Sequence, residues 1–237
     1  MTSLREQSAE FLDYLEAWTA DLPALPLSEI IADAGGAENV GIFCVDVING
    51  FCHEGPLSSP RVARIIAPIV ELFTRANAAG IANFVLTHDA HTPDAAEFQD
   101  YPPHCIRGTN ESDIVPELLA LPFASQFHLI PKNSIASDAG TTLDTWLDAR
   151  PHLTHYLVVG DCTDLCAYQL AIHLKVRANA ANLKHSVILP ANCVDSFDIP
   201  VSAAKAANIL PHPADFFHAA FLYSMAQNGV RVVQSIA

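Results

Sequence analysis

Short apolar runs alternate with segments of helical periodicity along most of the chain. The apolar runs are rich in Val, Ile and Leu and cover residues 40–47, 81–87, 127–130, 156–159, 186–189 and 230–233. Helical patterns cover residues 60–79, 111–120, 141–149, 164–181, 200–208 and 213–228. Continuous apolar strands separated by helices are typical of a parallel sheet covered on both faces. The pattern predicts an α/β fold, a three-layer α/β/α sandwich with a mostly parallel six-stranded sheet.

The first part of the chain has a different pattern. Residues 4–20 carry apolar side chains at helical spacing, and a segment containing prolines, 23–27, ends that helix. We therefore expect an N-terminal helical extension over residues 1–35 and a single domain over residues 36–237. The extension is expected to serve in packing or assembly.

The composition is typical of a globular protein and limits its partners. With 51% hydrophobic and 16% charged residues in 237, the chain can bury a large core. A net charge of −14 argues against nucleic acid or an anionic membrane as a partner, but not against a small neutral substrate. No apolar run is long enough to span a membrane, and the first residues lack a signal-peptide pattern, which favours the cytoplasm. The six cysteines are spread out, so we expect reduced thiols.

Polar residues stand where the first four strands of the predicted domain end. Asp46 closes the first strand, Asp89 and His91 follow the second, Lys132 follows the third and Cys166 follows the fourth. Ligands of parallel α/β sheets bind beyond the carboxyl ends of the strands. We therefore expect these side chains to meet at one edge of the sheet.

Three of these residues suit nucleophilic catalysis. Cys166 would stand in the first turn of a helix, where backbone N–H groups favour a thiolate. Asp46 could accept the thiol proton and deliver it to a leaving amine, while Lys132 could stabilise both anions by charge. The N–H groups of Cys162 and Cys166 could form an oxyanion hole. A structural role is the ordinary alternative for each residue alone, but the joint pattern favours catalysis.

A second group of residues suits a metal ion. Asp89 and His91 are two positions apart, so an extended chain would turn both side chains to the same face. His104 follows closely, and Glu97 lies between the two histidines. Carboxylate and imidazole together suit zinc, iron or manganese. We predict that these four residues hold one divalent ion.

Two aromatic residues flank these groups in the sequence. Phe51 follows the Asn49–Gly50 pair, and Tyr101 precedes His104. Their flat faces would suit a heteroaromatic substrate, although core packing is the ordinary role of such rings.

At these residues the chain resembles the nicotinamidases, within the isochorismatase-like cysteine hydrolases. The likeness rests on five segments, residues 45–52, 87–91, 101–109, 130–132 and 159–166. It runs from about residue 40 to the end of the chain. The Pro-x-His-Cys segment around His104 separates nicotinamidases from many metal-free relatives.

The resemblance implies a Rossmann-like topology and hydrolysis of nicotinamide to nicotinate and ammonia, an activity on linear amides that belongs to NAD salvage. It implies a thioester on Cys166, a proton shuttle at Asp46 and support from Lys132. One divalent metal ion, zinc by expectation with iron or manganese as alternatives, would hold the pyridine nitrogen. Phe51 and Tyr101 would sandwich the ring, with Leu165 beside it. A cis peptide bond before Cys162 would turn its N–H into the oxyanion hole, and the protein would be a homo-oligomer.

Two positions depart from the family pattern. Asp161 stands where relatives carry an apolar residue, so its carboxylate could raise the pKa of the nucleophile or point away from it. Glu97 stands where relatives vary between histidine and a carboxylate.

Three hypotheses remain open on the sequence. The first is the nicotinamidase. The second is another hydrolase on the same scaffold, either an isochorismatase or an amidohydrolase of another small amide such as a carbamoyl amine. The third is a catalytically silent binding module. Retention of Asp46, Lys132 and Cys166 favours an enzyme.

Overall fold

The fold is described by a computed structural model that covers residues 3–237. The strands are β1 (Ala24–Leu25), β2 (Val40–Val45), β3 (Asn83–Asp89), β4 (His128–Lys132), β5 (His155–Asp161), β6 (Ser186–Pro190), β7 (Val194–Asp195), β8 (Arg231–Val233) and β9 (Ser235–Ile236). The α-helices are α1 (Leu4–Ala20), α2 (Leu27–Ala34), α3 (Asn49–Cys52), α4 (Pro60–Ala63), α5 (Ile66–Ala78), α6 (Pro116–Leu119), α7 (Leu143–Asp148), α8 (Cys166–Ala180), α9 (Val201–Ala207) and α10 (Ala214–Gln227). Short 3-10 helices lie at Ala37–Asn39, Ala96–Gln99, Asn110–Ser112, Ala124–Gln126 and Ala191–Cys193.

The central sheet has the strand order β4-β3-β2-β5-β6-β8, and each of these neighbours pairs in parallel. The α/β prediction is therefore confirmed, and all six predicted strands are present. The sheet also has a seventh strand, β7, which pairs with the end of β5. Helices α2 and α5 pack on one face, while α7, α8 and α10 pack on the other.

The described part of the predicted extension packs on the same core as the rest of the chain. Strand β1 pairs with β9 in parallel, and Leu25 and Ile30 belong to one of the two core clusters. On the other side, the ring of Trp18 lies edge-on to Tyr223 of α10, with centroids 5.3 Å apart. The division of the chain at residue 35 stays a prediction.

Two predicted helices are shorter than their sequence patterns. The segment 60–79 divides into α4 and α5, because Pro68 lacks an N–H and its ring would clash with the carbonyl of Arg64 in a continuous helix. In the segment 111–120, only Pro116–Leu119 is α-helical, since Val115 before the proline has φ −55° and ψ 140°, outside the helical region. Among the helices of residues 3–237, none combines the length and apolarity that a membrane span needs.

A close approach of two strands lies directly under the candidate site. Gly160 of β5 pairs with Val45 at the end of β2 and has a φ of +117°. A Cβ atom at Gly160 would lie 1.9 Å from the carbonyl oxygen of Val45. Backbone atoms cannot move aside as a flexible side chain can, so this register needs glycine.

We expect Gly160→Ala to lower the free energy of unfolding by about 3 kcal/mol or more, because it adds both a backbone clash and an unfavourable φ. Gly108→Ala is the matched control, since Gly108 also has a positive φ, +82°, but a Cβ atom there would meet nothing within 4 Å. The control should cost only about 1 kcal/mol. Urea unfolding of both variants measures the difference, and equal losses would contradict the role of the close approach.

Candidate active site

The ends of four strands meet at one point, as their parallel register requires. Asp46 follows β2, Asp89 ends β3, Lys132 ends β4, and Cys166 begins α8 after β5. All four residues are buried. Asp46 has a φ of +58°, a conformation that is rare outside glycine and concentrates at functional sites. Its Oδ1 accepts a hydrogen bond of 2.8 Å from the N–H of Asp89, which ties β2 to β3 at the site.

The ammonium of Lys132 joins the predicted catalytic residues. Its Nζ lies 2.7 Å from Asp46 Oδ2, 2.6 Å from Asp89 Oδ1 and 3.7 Å from Cys166 Sγ. It also donates to the carbonyl of Ser134 at 3.1 Å. The side chain is completely buried, so these partners replace the water that the charge has lost.

Burial and charge set the protonation of this group. Burial opposes the charge of Lys132, but Asp46 and Asp89 outweigh it and raise the lysine pKa well above its usual range. Burial, followed by repulsion from Asp89, raises the pKa of Asp46 to about 7 against the effect of Lys132. Burial raises the pKa of the Cys166 thiol well above its usual range, although Lys132 opposes this. The arrangement therefore holds a protonated thiol beside a carboxyl group that can exchange a proton near neutral pH.

The loop between β5 and α8 carries the two predicted oxyanion donors. The peptide bond between Asp161 and Cys162 is cis. Cys166 is the first residue of α8, so its N–H belongs to the helix turn that has no acceptor within the helix. The carbonyl of Cys162 accepts hydrogen bonds from Leu165 and Ala167, both at 3.1 Å, and this closes the loop into a tight turn.

Asp161, the departure from the family pattern, is buried beside this loop. Its Oδ2 lies 3.8 Å from the sulfur of Cys162, and its Oδ1 has no hydrogen-bond partner among the described residues. Burial, followed by repulsion from Asp46, raises the pKa of Asp161 well above its usual range. The burial of Asp161 thus disfavours a negative charge beside the predicted nucleophile.

Three of the four predicted metal ligands form a compact group. One ligand atom each from Asp89, His91 and His104 lies within 4.8 Å of the other two, and all three residues are buried. A bridge between His91 and Ile106 brings the segment of His104 alongside the end of β3.

The hydrogen bonds of these histidines fit a metal ion. The Nδ1 of His104 lies 2.8 Å from the carbonyl of Pro102, which can only accept, so in the neutral ring Nδ1 carries the proton and Nε2 offers a lone pair to a metal. Both ring nitrogens of His91 are buried without a hydrogen-bond partner among the described residues. Its Nε2 lies 3.4 Å from Asp89 Oδ2 without forming a hydrogen bond, and a cation bound between the two would satisfy both atoms.

Glu97 lies at the edge of this group. Its Oε1 is 3.9 Å from His91 Nε2, and its side chain is 15% exposed. It stands outside the compact set of three, on the 3-10 helix Ala96–Gln99. Its role as a further ligand stays a prediction.

Aromatic rings surround His104. The ring centroid of Phe51 lies 5.7 Å away and that of Tyr101 lies 6.2 Å away, so both predicted substrate contacts border the metal group. Leu165 lies half-buried immediately before Cys166. Phe98, which the sequence did not single out, lies 5.4 Å from His91 and 5.6 Å from His104. Its position directly after the predicted ligand Glu97 is the sequence feature that points to it.

Other histidines near the site have protein partners. His88 precedes Asp89 in the chain, but its Nδ1 bonds to the carbonyl of Ser112 at 3.0 Å. His53 lies 3.3 Å from Glu117 on the surface. His212 was given no role from the sequence, yet its Nε2 lies 2.8 Å from Asp164 in the loop of the nucleophile.

The chain is similar to known proteins in both sequence and fold. Residues 40–236 match the family described as Isochorismatase domain. The chain is 30% identical to Nicotinamidase 1 of Arabidopsis thaliana over 84% of this chain and 87% of that protein. Its fold resembles nicotinamidase PncA from Bacillus subtilis (TM-score 0.62, 24% identity, 82% of this chain and 99% of that one). It also resembles the pyrazinamidase of Pyrococcus horikoshii in complex with zinc (TM-score 0.64, 19% identity, 83% and 99%).

We expect the purified protein to hold about one divalent ion per chain and His104→Ala to lower its metal content about tenfold or more, because a buried ligand is lost. Elemental analysis after gel filtration measures this. His88→Ala is the matched control, since it removes a neighbouring histidine that bonds to a carbonyl. Equal metal content in the two variants would contradict the assignment.

Proposed function

The chain belongs to the isochorismatase domain family, and from its site we propose that it is an amidohydrolase that converts nicotinamide to nicotinate and ammonia. One observation carries the proposal. The Lys132 ammonium contacts Asp46 and Cys166 on one side and the carboxylate of the Asp89 metal group on the other. The likeness to Nicotinamidase 1 and to a zinc-bound pyrazinamidase supports a pyridine-type carboxamide as substrate.

The first step is attack by the thiol. Asp46 takes the proton of Cys166 as the sulfur adds to the carboxamide carbon, and Lys132 stabilises the developing charge of both groups. The carbonyl oxygen becomes an oxyanion, which the N–H groups of Cys162 and Cys166 bind. A pKa near 7 suits Asp46 for this exchange, because the carboxyl group can then accept and return a proton.

The second step is loss of ammonia. Asp46 returns its proton to the amide nitrogen, the C–N bond breaks, and a thioester joins the acyl carbon to Cys166. Water then adds to the thioester, with Asp46 again taking a proton. The C–S bond breaks, the thiol is restored and nicotinate leaves.

Asp89, His91 and His104 would hold a divalent ion beside this centre, with Glu97 as the further ligand we predict. Carboxylate and imidazole donors favour zinc over calcium or magnesium. When bound, such an ion supplies a Lewis-acidic point that a pyridine nitrogen can ligate. Phe51 and Tyr101 border this position and would bracket the ring.

The site fits the alternatives less well. A binding module does not require a buried ammonium, and burying this charge lowers the stability of the fold unless its partners compensate for the lost water. Isochorismatase chemistry acts on a vinyl ether and would use neither the thiol nor the histidine group. An amidase of another small carboxamide would share the catalytic residues, and substrate assays separate it. A homo-oligomer, a cytoplasmic location and a place in NAD salvage stay predictions.

We expect the metal-supplied protein to release ammonia from nicotinamide, and Cys166→Ala to lower kcat about 10⁴-fold, because the covalent route is lost. Coupled assay of ammonia and chromatography of nicotinate measure both. Cys193→Ala removes another buried thiol away from the site and should keep the activity per folded protein. If the wild type does not turn over nicotinamide, the proposed substrate is wrong. If Cys166→Ala keeps its activity, the proposed covalent mechanism is wrong.

We expect chelation to raise the KM for nicotinamide about tenfold or more while unfolding stays cooperative above the assay temperature. The metal residues stand at strand ends and the core holds the sheet, so substrate binding is the more sensitive property. Kinetics and thermal unfolding before and after chelation test this. Loss of the folded state with an unchanged KM would contradict it.

A further inference from the structure

His212 is held on four sides near the loop of the nucleophile. Its Nε2 lies 2.8 Å from Asp164 Oδ2, and its Nδ1 lies 2.8 Å from the carbonyl of Phe197. Its ring is stacked between Phe197 and Phe217, with centroids 4.0 and 4.4 Å away and interplanar angles of 21° and 6°. These contacts restrict the rotation of the His212 side chain.

Both ring nitrogens of His212 face oxygens that only accept hydrogen bonds, the carbonyl of Phe197 and the carboxylate of Asp164. A hydrogen bond to a carboxylate is stronger than one to a neutral acceptor, so the contact with Asp164 is the stronger of the two tethers. The other oxygen of Asp164 accepts a 2.6 Å hydrogen bond from the hydroxyl of Ser196, so both carboxylate oxygens are bonded.

Asp164 lies between the two predicted oxyanion donors. Cys162 precedes it by two residues and Cys166 follows it by two. Thr163 is also anchored, because its N–H donates to the carbonyl of Asp195 at 3.0 Å and its hydroxyl bonds to His218 at 2.9 Å. Groups from residues 195–218 thus hold the centre of this loop.

The side-chain anchors add to the backbone bonds between this loop and α8, in which Ala167 N–H donates to the carbonyl of Cys162 and Gln169 N–H to that of Leu165. Helix α8 begins only at Cys166, and Leu165 has φ −115° and ψ −102°, outside the helical region. A rotation of one peptide unit here would turn an N–H away from the oxyanion, and a donor misplaced by about 1 Å loses much of its effect.

We propose that His212 is a positioning residue, which through Asp164 holds the N–H groups of Cys162 and Cys166 toward the reacting carbonyl oxygen. This rests on the oxyanion hole of the proposed function, but not on nicotinamide as the substrate. It makes a specific prediction: loss of the His212 contacts lowers acyl transfer to Cys166 and spares the nucleophilicity of its thiol.

Two reagents separate these properties. With p-nitrophenyl acetate, the Cys166 sulfur bonds to the acyl carbon, the ester C–O bond breaks and p-nitrophenolate leaves with the electron pair. The thiol proton passes to Asp46 and then to solvent, and an oxyanion forms on the way. With iodoacetamide, the sulfur bonds to the methylene carbon, iodide leaves with the electron pair, and the thiol proton passes to Asp46 and then to solvent, so no substrate oxygen gains charge. The first reaction needs the oxyanion hole and the second does not.

We expect His212→Phe, which keeps a stacked ring but loses both hydrogen bonds, to lower the rate of Cys166 acylation about tenfold or more. Its rate of alkylation should stay within about threefold of the wild type. His212→Gln can still donate to Asp164 and should recover part of the acylation rate. Release of p-nitrophenolate and peptide mass spectrometry of Cys166 give the two rates.

His185→Ala is the matched control, since His185 is also hydrogen-bonded and ring-packed, against Tyr156, but does not touch the loop. It should leave both rates unchanged. If His212→Phe does not fold, Asp164→Asn removes the charge of the same pair at nearly constant volume and is measured in the same way.

The proposal is overturned if both rates are unchanged in His212→Phe, or if they fall together, because His212 would then act on the thiolate or on the fold. It is also overturned if the wild type is alkylated but not acylated at Cys166, since no oxyanion hole would exist. A wild type that is acylated at Cys166 but does not hydrolyse nicotinamide would contradict the proposed substrate alone.

Discussion

An ammonium buried between carboxylates is the interaction on which the site depends. Lys132 has no exposed side-chain surface, and an unpaired cation there would cost several kcal/mol. Asp46 and Asp89 meet it at 2.7 and 2.6 Å, which brings the ends of three neighbouring strands to one point. Because Cys166 Sγ lies 3.7 Å away, the same charge also reaches the proposed nucleophile. The atoms that compensate the buried charge are thus the atoms to which we assign the catalysis.

Asp89 joins the Lys132 group to the histidine group, two sets of residues that are separate in the sequence. Its Oδ1 pairs with Lys132, while its Oδ2 lies 3.4 Å from His91 Nε2 and 3.9 Å from His104 Nε2. Burial opposes ionisation of Asp89, but Lys132 and His91 outweigh it, so the pKa of this carboxyl group is lowered. A lowered pKa favours the charged carboxylate, which the ammonium of Lys132 contacts and which a bound metal ion would require. A change in the charge of Lys132 should therefore alter the interaction of Asp89 with His91 and His104, and the reverse.

Local sequence signals explain both the successes and the errors in the predicted fold. The central strands are buried on both faces, so each forms a continuous apolar run that stands out in the sequence. The helices over 60–79 and 111–120 were predicted too long because their periodicity outweighed Pro68 and Pro116, whose effect on the backbone is equally local. Strand β7 was missed, since two residues beside the end of β5 carry no periodic pattern.

Residue type and order are enough to place each chemical group at its strand end, because the burial of apolar runs and the parallel register follow from them. The folded chain alone sets how those groups pair. It placed Asp89 between Lys132 and the histidines, left Glu97 at the edge and joined His212 to Asp164. Such pairings, and the pKa shifts that burial imposes, depend on neighbours far apart in the chain, and no local pattern records them.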